Sequence, residues 1–65
     1  MKLGIWKNNR HGTEYLVRGT AVDCTNERDG IVVVVYHKYN DYQNVKYFVR
    51  DAEEFKTKFT FIREY

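Results

Sequence analysis

The residue types best suited to metal or nucleophilic chemistry are thinly spread in this chain. His11, His37, Cys24, Asp23 and Asp41 offer the imidazole, thiolate and carboxylate donors that zinc takes. A structural zinc site draws four converging ligands, usually in close pairs, whereas Cys24 and His37 stand alone. The spacing therefore predicts a buried or edge cysteine, two solvated histidines and no metal. As a nucleophile Cys24 would need a base, an orienting third group and an oxyanion hole, and no residue pattern supplies them. Glu53 and Glu54 are adjacent, so they need not converge as an acid–base pair, and solvation accounts for both. No catalytic residue is assigned, no cofactor is implied, and the expectation is a non-enzymatic protein.

A second constellation suits binding. Trp6, Tyr36, Tyr39, Tyr42 and Tyr47 are interleaved with Arg10, Arg18, Lys38, Lys46 and Arg50, which combines flat stacking platforms with cations. Such a surface fits a single-stranded nucleic acid or nucleotide, a peptide in an aromatic groove, or a protein anchored by Tyr, Trp and Arg. Tyr36 and Tyr47 are expected to fill the interior instead. The binding residues expected from the sequence are thus Trp6, Arg10, Arg18, Lys38, Tyr39, Tyr42 and Lys46. The function they suggest is a non-catalytic protein-interaction or inhibitor module. The alternative is a protein that binds or sequesters a nucleotide signal or nucleic acid, for which the cations would have to cluster with the rings.

The elements that must hold these residues are short strands. A chain of 65 residues with one cysteine and no proline forms one domain without a disulfide framework, and must stand on its core. Domains of this size bury about 60% of the surface their unfolded chains expose, so large side chains or a second copy must help. One tryptophan, six tyrosines and four phenylalanines exceed what one such core encloses. Some rings are therefore expected outside, as binding anchors or in a homo-oligomer interface. The formal charge of +2, from 11 Lys and Arg against 9 Asp and Glu, is weak for a dedicated duplex binder. It is uneven, however. Residues 1–22 carry Lys2, Lys7, Arg10 and Arg18 against Glu14 alone, which would attract an anionic or nucleotide-like partner. No apolar run approaches the roughly 18 residues of a membrane span, and no signal-peptide core is present, so a cytoplasmic protein with no membrane partner is expected.

The run Ile31-Val32-Val33-Val34-Val35-Tyr36, opened by Asp29-Gly30, predicts an interior strand with both faces covered. Alternation predicts further strands over Leu3–Lys7, Thr13–Asp23, Lys46–Arg50 and Thr57–Ile62, with a bulge or bend at Gly19-Thr20. Asp51–Phe55 reads as a single helical turn with Asp51 as N-cap and Glu54 completing a capping box. Five short strands with one helical turn before the last predict an all-β fold, a small SH3-like barrel over residues 1–65, with an OB-like or open sheet as the competitor.

Several short motifs carry a family resemblance: Gly4, Trp6, Lys7 and Gly12; Glu14-Tyr15-Leu16-Val17; Val34-Val35-Tyr36; and Phe48-Val49-Arg50 followed by Glu53 and Phe55. Through most of its length the chain resembles a small bacterial family numbered sixteen-fifty-three among the domains of unknown function. It departs from that pattern at Asp51, where a proline usually stands, and in the loop Asp41–Lys46. The resemblance implies a compact SH3-like β fold and a bacterial or bacteriophage origin, and it brings no assigned chemistry.

Overall fold

The computed structural model describes every residue from Met1 to Tyr65. Five strands form one antiparallel sheet: β1 (Gly4–Asn8), β2 (Glu14–Asp23), β3 (Ile31–Lys38), β4 (Phe48–Asp51) and β5 (Phe59–Arg63). Helix α1 (Ala52–Lys58) precedes β5. The order across the sheet is β4-β3-β2-β1-β5, a four-strand meander whose last strand returns beside the first. The fold is all-β with the order of elements read from the sequence. The sheet curls, bringing its two outermost strands together: the guanidinium carbon of Arg50 on β4 lies 5.7 Å from the Phe59 ring centroid on β5.

The core is aromatic because a small domain encloses most apolar area with few large side chains. Trp6, Val17, Val34, Tyr36, Phe55 and Phe59 form it, edged by Tyr15, Phe48, Ala52 and Phe61. Phe55 and Phe59 stack in parallel with centroids 4.1 Å apart, while Trp6 meets Phe55 edge-on at 5.3 Å. Trp6 is thus a core residue and not a surface anchor. Its apolar body fills the interior, and its indole Nε1 donates to the Lys2 carbonyl at 3.0 Å, which removes the reason for it to reach solvent.

The β2–β3 pairing shifts register between Val17 and Gly19, which places the expected bulge at Arg18. Beyond it the two strands run on together. β1 pairs with β2 only as far as Val17, and β4 reaches β3 only at Val33, so Ile31 and Val32 lack a second neighbour. Full coverage of β3 was expected, yet Ile31 and Val32 are exposed for this reason, whereas Val33, Val34, Tyr36 and His37 are buried. The middle strand of the sheet is β2.

Several boundaries differ from the expected ones. β4 starts at Phe48 because the Lys46 amide donates to Asp41 Oδ2 and Tyr47 turns its ring toward His37. Thr57 and Lys58 belong to α1, since the Thr57 hydroxyl donates to the Glu54 carbonyl and Phe55 and Phe59 stack one turn apart. The helix is therefore longer than one turn. Asp51 caps it, accepting from the amides of Glu53 at 2.9 Å and Glu54 at 3.2 Å, but the capping box is half made because Glu54 pairs with Arg50 instead. Asp51→Ala should lower stability by about 1 kcal/mol, read as a shift in denaturation midpoint at unchanged slope.

Candidate binding surface

The loops that carry the expected binding residues gather at one end of the sheet. β1 ends at Asn8 opposite the start of β5 at Phe59, and β2 begins at Glu14 beside the end of β3. This brings Arg10, Lys38, Tyr39, Tyr42 and Lys46 to the same end, while Arg18 stands apart in the bulge and Trp6 is internal.

Strand alternation then divides that end between two faces. Tyr15 and Lys38 are direct partners, and Tyr15 packs edge-on against Tyr36 and Phe59, so Lys38 emerges on the face that α1 covers. His37 and Tyr39 belong to the outer face. There the Tyr39 ring meets Tyr65 at 6.4 Å and lies under the Arg63 guanidinium at 5.5 Å. Arg63 also pairs with Glu14 at 3.5 Å. Tyr47 meets the His37 ring edge-on at 5.4 Å. Contrary to the expected solvated state, His37 is buried, and its Nδ1 donates to the Lys38 carbonyl at 2.9 Å, which satisfies a ring that the sheet removes from water.

The rings sort cleanly by burial. Four are buried, three are half-buried at the core margin, and Tyr39, Tyr42, Tyr47 and Tyr65 are exposed. Tyr42 and Tyr65 are the most open, at 82% and 81%. Tyr47 was expected inside, since its alternation with Val49 reads as strand, but both side chains point off the outer face near the sheet edge. The part played by Tyr65 and Arg63 has no local signal, because it depends on β5 pairing with β1 and on the tail passing near Tyr39.

The helix-side face holds most of the expected binding cations. Lys38, Asn40, Asp41, Asn44, Lys46 and Phe48 line one depression, in which Asn44 takes a positive φ of 50° to turn the chain. Arg50 is held there by three groups: its Nε donates to the Tyr36 hydroxyl at 3.2 Å, its Nη1 pairs with Glu54 at 2.7 Å, and its guanidinium covers Phe59. The Tyr36 hydroxyl, aided by Glu54, raises the Arg50 pKa above its ordinary value against the opposing effect of burial.

The residues suited to metal or thiol chemistry do not come together. No three His, Cys, Asp or Glu side chains gather to hold a cation. Cys24 is exposed in the β2–β3 connection, at the opposite end of β3 from His37. Asp23 beside it has a lowered pKa because it accepts from Thr25, first from its amide and then from its hydroxyl, with Arg28 adding to both. These contacts order the turn. No helix is long and apolar enough to cross a membrane.

Compared with models of protein families, with curated proteins and with solved structures, the chain finds no match in any of the three.

Proposed function

We propose that this chain is a non-catalytic cytoplasmic binding module that engages a protein partner, as an interaction or inhibitor protein of bacterial or phage origin. The observation that carries the reading is that the exposed rings and most of the expected binding cations lie on different faces. Tyr39, Tyr47 and Tyr65 lie on the outer face, where Arg63 is tied to Glu14, whereas Lys38, Lys46 and Arg10 line depressions on the helix side. A single-strand binder needs both along one track. Exposed tyrosines with an arginine among them, rigid and amphipathic, match the anchors of protein interfaces. Tyr42 stands exposed in the β3–β4 loop and offers a further ring at this end of the sheet.

The test uses the partner captured from a bacterial lysate. Tyr39→Ala and Tyr42→Ala, where truncation opens no core cavity, should leave the melting transition nearly unchanged. A central anchor lost to alanine costs about 2 kcal/mol, roughly thirtyfold in affinity. Affinity should vary little between low and moderate salt, whereas a nucleic-acid partner would weaken steeply as counterions are released. Variants that bind like wild type would move the site elsewhere, and a steep salt slope would replace protein by nucleic acid as the partner.

A further inference from the structure

We infer that the cleft between the β1–β2 loop and the C-terminal end of α1 binds a phosphate monoester. This site lies on the helix-side face, away from the exposed tyrosines, and stands independently of the protein-binding reading. The cleft, of about 480 Å³, is lined by Asn8, Asn9, Arg10, Tyr15, Arg50 and Lys58, with His11 and Thr57 completing its walls. Its volume falls within the range of small-molecule sites. Three permanent cations and an imidazole face it, and no carboxylate does.

Two of those cations are uncommitted. The ion pairs of the molecule use Arg28, Arg50, Lys56 and Arg63, and neither Arg10 nor Lys58 takes part in one. Arg50 is engaged through Nε and Nη1, which leaves Nη2 without a partner in the chain. Its partner Glu54 lies on the other side, in a separate depression with Asp51 and Asp23. Lys58 ends α1, where the helix dipole also favours a cation.

The backbone carrying these groups is fixed. Asn8 Oδ1 accepts from the amides of Arg10 and His11, both at 2.9 Å. The Asn9 amide donates to the Lys58 carbonyl at 2.9 Å, and Asn9 Oδ1 accepts from the Thr60 hydroxyl at 2.5 Å. The loop and the end of the helix are thereby one unit, so Arg10 and Lys58 are held near each other before any ligand arrives. Such preorganisation reduces the cost of binding.

A dianion with three terminal oxygens matches donors converging from a loop, a strand and a helix end better than a carboxylate does. A phosphodiester backbone would need the cations to continue along a line beside exposed rings. Here the neighbouring depression with Lys38 and Lys46 also contains Asp41, and the one phenol ring in the cleft, Tyr15, is half-buried in the core margin.

The test follows backbone amide NMR signals of the intact chain during titration with inorganic phosphate, and then with adenosine 5′-monophosphate against adenosine, at constant ionic strength. Both phosphates should shift the Arg10, His11 and Lys58 signals saturably, and adenosine should not. Arg10→Gln and Lys58→Gln should each weaken adenosine 5′-monophosphate binding about tenfold, while Arg18→Gln leaves it unchanged. Two variants from different elements guard against one of them disturbing the loop. The inference is overturned if neither phosphate gives a saturable shift, if inorganic phosphate alone binds, or if Arg18→Gln has the same effect. It is also overturned if a thymidine oligonucleotide without terminal phosphates occupies the same residues more tightly, which would make the cleft part of a nucleic-acid track.

Discussion

Val34→Asp should abolish the cooperative unfolding transition, while Val32→Asp, two residues earlier on the same strand, should fold. Val34 is 0% exposed and sits among Trp6, Val17, Tyr36, Phe55 and Phe59, whereas Val32 is 47% exposed where the β2–β3 ribbon runs past its neighbours. An aspartate at Val34 would be buried among apolar side chains, and its direct cross-strand neighbour Arg50 is already committed to Glu54 and the Tyr36 hydroxyl. The penalty is roughly 4 kcal/mol or more, comparable with the about 3 to 10 kcal/mol that holds a domain of this size together. Thermal melts followed by near-ultraviolet circular dichroism separate the two variants. A native transition in Val34→Asp, or loss of folding in Val32→Asp, would mean that β3 is buried along a different part of its length.

Gly4→Ala should be the most damaging single-methyl change in the molecule. Gly4 has a φ of +144°, and a Cβ there would overlap the Arg63 carbonyl oxygen and crowd the Glu64 Cα, both of them backbone atoms of the last strand and its tail. A flexible side chain would swing aside; a strand paired to β1 cannot do so without giving up its register. Backbone strain and overpacking together should cost about 3 kcal/mol, or roughly 15 °C in melting temperature for so small a domain. The same substitution should loosen the β1–β5 pairing, visible as faster hydrogen exchange at Phe61 and Arg63, which pair with Trp6 and Ile5. A variant melting within a few degrees of wild type, with unchanged exchange, would show that the tail does not pass this close to Gly4.

Both predictions depend on strands that were legible in the sequence, and the reason is local. The β-branched run from Ile31 to Val35 strongly prefers extended backbone, and Asp29-Gly30 supplies the positive φ, +90° at Gly30, that starts its return along β2. The bulge near Gly19 and the Asp51 cap were legible for the same reason, since each rests on one residue's conformational or hydrogen-bonding preference. Where local preference met a tertiary contact, the contact won. Thr57 and Lys58 alternate like a strand, yet they complete α1 because Phe55 gains a stacked partner in Phe59.

The candidate surfaces were legible as an inventory and not as a place. Composition requires that some of the rings stay outside, but period-two alternation alone does not say which parity meets the core. The closing of the sheet put Tyr36 in and Tyr39 out, and sent Trp6 inward although its neighbours Lys7 and Asn8 look like a rim. Arg10, Arg50 and Lys58 are separated by up to 48 positions, and their convergence on one cleft exists only because β5 returns to pair with β1 and seats the end of α1 on Asn9. What the sequence determined by itself is therefore the set of strands, their turns and a surplus of aromatic side chains, all governed by preferences that act within a few residues. Which face each ring and cation occupies, and which of them meet, was decided by the long-range pairing of the first strand with the last, because only that contact closes the core and assigns its inside.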